Sequence, residues 1–166
     1  MKMPEMVNSH PISAETTASP LHRFSPDGTI RLPEGIPGFP ALRQAAFFSE
    51  ATIEPFFHMQ ALNIKDLSFI CIEPFVVCPE YLVDIPDAFA KRLDLQSPSD
   101  AWIFCLVTLA PQREDITANL MCPVVVNVRN MQARQLIIED AEHLLRYRIW
   151  HHLGEDNLEE EMQAVG

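Results

Sequence analysis

Carboxylates, thiols and imidazoles are the side chains here that could do chemistry, and their spacing limits what chemistry that is. The histidines are His10, His22, His58, His143, His151 and His152, and the cysteines are Cys71, Cys78, Cys105 and Cys122. No two cysteines form a Cys-x-x-Cys pair and no histidine stands at ligand spacing from them, so the pattern predicts no metal site. Cys71 and Cys105 lie in strongly apolar runs, the setting of buried free thiols in a reducing compartment. His58, flanked by Phe57 and Met59, reads as a structural strand histidine. There is no G-x-S-x-G elbow, H-E-x-x-H pair, phosphate loop or dinucleotide fingerprint, so no cofactor is predicted. Glu73 and Asp115 are the carboxylates nearest predicted strand ends. They define the enzymatic alternative, a hydrolase or isomerase on a small β-barrel using Glu73 or Asp115. Nothing supplies the matched nucleophile and base that catalysis needs, and a binding protein is the better reading.

Binding has its own candidates: Glu114, Asp115, Thr117 and Asn119. Thr117 and Asn119 are two apart in an extended segment and therefore share a face. If that face is buried they bridge backbone groups around a bulge; if it is exposed they are partner-binding residues behind an acidic Glu114–Asp115 rim. Both readings are open at this stage. The formal net charge of -11, from 23 acids against 12 lysines and arginines, repels phosphate backbones and argues against direct nucleic-acid binding. Phe47, Phe48, Phe56 and Phe57 offer no base-stacking track, because adjacent strand residues face opposite ways and no lysine or arginine is interleaved. A basic protein partner suits the charge better, since complementary charge speeds encounter.

These residues need a scaffold. A hydrophobic fraction of 48% with 21% charged residues is that of a globular chain, and 166 residues suffice for one core. Fourteen prolines against 5 glycines imply short strands and frequent corners. Strands are predicted over 29–32, 44–49, 56–62, 67–73, 101–110 and 133–139. The segment 116–128 bends at Pro123, which marks an edge or a bulge, so that it serves two pairings. The run 101–110 leaves almost no polar face and reads as the central strand. A short helix is predicted over 86–93, with proline in its first turn. Between the first two strands, PEGIPGFP forbids regular structure and predicts an ordered loop that turns Ile36 and Phe39 inward. The fold class is mainly β: a small antiparallel barrel-like or rolled domain with one or two short helices. It spans residues 27–150, after a flexible polar leader (1–26) with room for one irregular strand, and before an acidic tail (151–166). No apolar run approaches a membrane span, and a soluble cytoplasmic protein is predicted.

Three stretches together resemble the flagellar assembly factor family FliW: IRLPEGIPGF (30–39), FICIEPFVVCPEY (69–81) and VTLAPQREDITANLMCPVVVN (107–127). The most specific part is Asp115-Ile116-Thr117-Ala118-Asn119-Leu120 followed by Pro123. The resemblance spans roughly 28–140. It implies a small β-barrel-like domain and two partners, flagellin and the RNA-binding carbon storage regulator CsrA, whose repression of flagellin translation such a protein relieves. Within the motifs, Gly35 and Gly38 are expected to serve positive φ, and Phe39 and Phe75 to be core. The chain departs from the family pattern in its polar leader and in a helix-like stretch after Asp140.

Overall fold

The computed structural model describes residues 9–13 and 28–153. Most of the expected leader and of the acidic tail lies outside the described residues.

Seven strands close into a barrel: β2 (Thr29–Arg31), β3 (Gln44–Phe48), β4 (Phe57–Ala61), β5 (Ser68–Ile72), β7 (Ala101–Thr108), β9 (Val124–Asn127) and β10 (Gln132–Gln135). The order around the ring is β7-β5-β4-β3-β2-β10-β9 and back to β7. Every contact is antiparallel except β2 with β10, a parallel seam with one register position, Gln132 beside Arg31. Two strands stand outside the ring on one side, β1 (Ser9–Ile12) and β6 (Val83–Pro86), paired antiparallel to each other. Two more, β8 (Thr117–Ala118) and β11 (Tyr147–Arg148), extend the sheet past the end of β7.

The period of two explains why β7 is apolar throughout. Its even residues Trp102 and Phe104 enter the barrel, where they meet Phe57, Met59, Ile30, Leu32, Val124 and Val126. Its odd residues Ala101, Ile103 and Cys105 point outward into a second core, covered by Ile12, Val83, Ile85, Val77, Tyr81 and Ile149. One strand thus belongs to two cores, and from Ala101 to Cys105 it has no face for solvent. Aromatic rings fill the barrel: Phe47 packs edge-on against Trp102 at 5.0 Å and Phe104 at 5.2 Å. Its neighbour Phe48 faces outward and is 46% exposed, as the alternation demands.

The bend expected at Pro123 is present. β8 and β9 both pair with β7, β9 along 101–104 and β8 at 107–108, and the chain turns between them at residues 119–123. Pro123 is buried, and its carbonyl accepts from the Leu136 amide at 2.9 Å. The return strand is shorter than expected, ending at Gln135. Beyond it Leu136 and Ile138 still donate to the Pro123 and Met121 carbonyls, each at 2.9 Å, while the Ile137 side chain between them is exposed.

The helix α1 (Asp87–Leu93) carries Asp87 in its first turn and Lys91 and Arg92 in its last, each favourable to the helix dipole. It stops at Asp94, whose φ of 56° is left-handed. Asn127, buried on β9, donates from its amide to the Leu93 carbonyl at 2.8 Å and the Asp94 carbonyl at 2.9 Å. A buried side chain from the barrel wall therefore satisfies the helix end and ties it to the last residue of β9.

Candidate partner-binding site

The residues proposed for binding fall on one edge of the extended sheet. A 3-10 turn at Arg113–Asp115 leads into β8, and Glu114 and Asp115 are both exposed. Ala118 points into the outer core, so Thr117 and Asn119 share the opposite, half-buried face. Thr117 lies across from Thr108 on β7 and from Arg148 on β11. Asn119 turns its side chain back on the chain: its Oδ1 accepts from the Cys122 amide at 3.0 Å, while its own amide donates to the Leu106 carbonyl at 3.0 Å. That geometry supports the turn toward Pro123.

The edge also carries basic and aromatic residues from the C-terminal segment. Arg148 pairs with Asp115 at 3.3 Å, and the Arg113 guanidinium lies 5.1 Å from the centroid of the Trp150 ring. Tyr147 stacks on His152, with 3.0 Å between its hydroxyl and Nε2. Burial, a hydrogen bond with Cys78 and the Glu80 charge push the Tyr147 hydroxyl up to about 12. Sequence reasoning missed this layer because β11 is two residues long and has no hydrophobic period. The helix-like stretch expected after Asp140 is helical only at its end: the chain makes a 3-10 turn at Glu142–Leu144 and then β11, with Ile149 buried in the outer core, before a helical turn over 150–153. Pairing with β8 supplies the backbone partners that a helix would otherwise have made internally.

The proline-glycine loop folds on itself through an Ile36–Phe39 bridge, with Pro37 and Gly38 at its tip. Proline followed by glycine at a φ of 87° is the type II arrangement. Gly35, at φ 66°, has a second constraint, since a Cβ there would lie 2.7 Å from the Phe39 and Pro40 carbonyl oxygens. Ile36 is buried, but Phe39 is 38% exposed and meets Phe69 edge-on at 5.1 Å. The expectation that Phe39 is core is therefore corrected: Ile36 fills the inner position and leaves Phe39 on the rim. Phe75 is half-buried against the outer core, 5.7 Å from Tyr81.

Among the described residues, no group of three or more His, Cys, Asp and Glu side chains could hold a metal ion. The cysteines are free, and burial pushes the Cys71 and Cys105 thiols well up. His58 is stacked under Phe48 at 4.7 Å. Glu73, at the end of β5, borders a cleft of about 190 Å³ together with Glu54, Phe56 and Val76. Asp115 does not line that cleft and is occupied by Arg148, so the two carboxylates of the enzymatic alternative are not brought to one site. No helix of the described residues is long and apolar enough to cross a membrane.

Comparison with known proteins agrees with this architecture. The model of the FliW protein family matches residues 13–149. The flagellar assembly factor FliW of Treponema pallidum (strain Nichols) is 42% identical over 64% of this chain and 71% of its own length. That of Treponema denticola is 36% identical over 77% and 86%, and that of Bacillus subtilis (strain 168) 31% over 72% and 84%. A crystal structure of the flagellar assembly factor FliW superposes with a TM-score of 0.69 at 29% identity, covering 76% of this chain and 89% of that one. The match runs through β11, which places the C-terminal edge strand inside the shared domain. From the closed barrel to the last strand of the edge, this chain belongs to the FliW family of flagellar assembly factors.

Proposed function

We propose that this protein works in the bacterial cytoplasm as a binding regulator with no catalytic step of its own. It binds the RNA-binding carbon storage regulator CsrA, relieves the repression of flagellin translation, and holds flagellin as a chaperone. The observation that carries this reading is the family match over residues 13–149. The charge supports it: a protein at -11 is poorly suited to RNA and well suited to a basic RNA-binding protein. Glu114, exposed in the turn that leads into β8, is the residue best placed to steer such a partner, and half-buried Thr117 lies behind it.

A pull-down tests the proposal. The immobilised protein, offered purified CsrA and purified flagellin in turn, is expected to retain each, and excess flagellin is expected to release bound CsrA. Retention of neither protein would sink the proposal.

A further inference from the structure

The barrel is closed least completely where β2 meets β10, and a cleft opens there that the partner-binding edge does not include. After Arg31 the chain leaves the seam, and Gly35 turns it into the proline-glycine loop. The loop and β10 diverge around a cleft of about 380 Å³ bordered by Glu34, Ile36, Pro37, Pro40, Arg134 and Gln135. That volume is within the range of small-ligand and peptide side-chain sites, roughly 300–1,000 Å³.

The backbone of β10 alternates. Leu136 donates to the Pro123 carbonyl, on the β9 side, so the Gln135 amide and carbonyl point the other way, toward the loop. Outside the strand ladders, none of the turn and loop hydrogen bonds of the described residues involves the Gln135 amide. The Gln135 side chain is fixed, with Nε2 donating to the Cys122 carbonyl at 2.7 Å, and its buried Oε1 has no hydrogen-bond partner. A short length of strand edge is thus left open beside a groove.

Arg134 stands next to it. Its side chain is only 15% exposed, and its charge is met by Glu34, which is 65% exposed. The pairing is asymmetric. The largely buried guanidinium needs a carboxylate, whereas Glu34 loses little by returning to water.

We propose that this seam cleft binds an extended peptide segment of a partner protein, added as a short strand against Gln135. A carboxylate side chain of that segment takes the place of Glu34 on Arg134. Backbone pairing supplies the affinity, and the arginine selects an acidic residue. The inference is independent of which flagellar proteins are bound, and so is its test.

The probe is two pools of acetylated, amidated hexapeptides, identical except for one central position held as aspartate or as lysine. Each is titrated into the 15N-labelled full chain. The aspartate pool is expected to shift the Gln135 and Gly38 amides saturably, with an apparent affinity roughly tenfold above that of the lysine pool. The exchange Glu34→Arg with Arg134→Glu keeps an internal pair and is expected to reverse the preference. Arg134→Gln, the milder change, is expected to abolish it. Equal responses to the two pools, shifts that avoid Gln135 and Gly38, or a preference unchanged in these variants would overturn the proposal.

Discussion

Arg148 reaches across from β11 to Asp115, with 3.3 Å between Nη2 and Oδ1, and so neutralises half of the acidic pair that opens β8. Both side chains are more than half exposed, and an exposed pair of this kind adds little stability, in the range of about 0–1 kcal/mol. Its consequence is for encounter. Arg148→Ala is expected to leave the melting temperature nearly unchanged while speeding association with CsrA about two- to threefold at low salt. Glu114→Lys is expected to slow association. Both effects should fade as salt rises, because exposed charges are screened beyond roughly 8 Å at physiological ionic strength. Surface plasmon resonance at two salt concentrations checks this; rates independent of both residues would move the interface elsewhere.

Asn119 and Pro123 hold the corner between β8 and β9. Asn119→Ala removes the acceptor for the Cys122 amide and is expected to cost about 1 kcal/mol in a urea melt. Pro123→Ala both frees the chain and empties part of a buried site, for a cost of about 1–2 kcal/mol. A dissociation rate from CsrA that rises in Asn119→Ala while stability stays unchanged would give that side chain a binding role instead.

Asn127 has more to lose. Its amide is the donor for the carbonyls of Leu93 and Asp94, and Asn127→Ala leaves both short of it in a buried place. The expected loss is roughly 2–4 kcal/mol, with hydrogen exchange rising first in α1. A loss below about 0.5 kcal/mol would show that water replaces the side chain.

Alkaline pH should unfold the protein. Burial raises the Cys71, Cys105 and Tyr81 groups above their ordinary values of 9.0, 9.0 and 10.0. The folded state therefore keeps protons that the unfolded chain releases. Stability is intact below pH 9.0 and falls as pH rises through 9–10 and beyond, since the unfolded state then binds fewer protons. Tyr81→Phe should flatten that decline. It should also lower stability near neutral pH by about 1 kcal/mol, because the Tyr81 hydroxyl donates to the Leu120 carbonyl at 2.6 Å. Urea midpoints at pH 7, 9 and 10.5 measure both.

The parts of this fold legible in the sequence were those with a strong local cause. The run 101–110 announced a strand covered on both faces, and β7 contributes to two cores. Pro123 announced a corner, because a proline cannot donate to a ladder. Other parts depended on partners far along the chain. β6 is four residues ending in proline and is a strand because β1 lies beside it. β11 is a strand because β8 offers an edge. Phe39 could not be placed from its type: a type II turn brings both Ile36 and Phe39 to the barrel mouth, and only packing decides which enters. The seam cleft was equally hidden, since Glu34 and Arg134 meet only after the barrel closes.

The proposed binding of CsrA and flagellin needs protein surface alone. Isothermal titration of the purified full-length protein with purified CsrA, repeated with the protein pre-saturated with flagellin, tests it most directly. A saturable heat is expected for CsrA alone, with no added metal or cofactor, and a strong reduction once flagellin is bound. Absence of any CsrA heat at tens of micromolar protein, or heat unaffected by saturating flagellin, would contradict it.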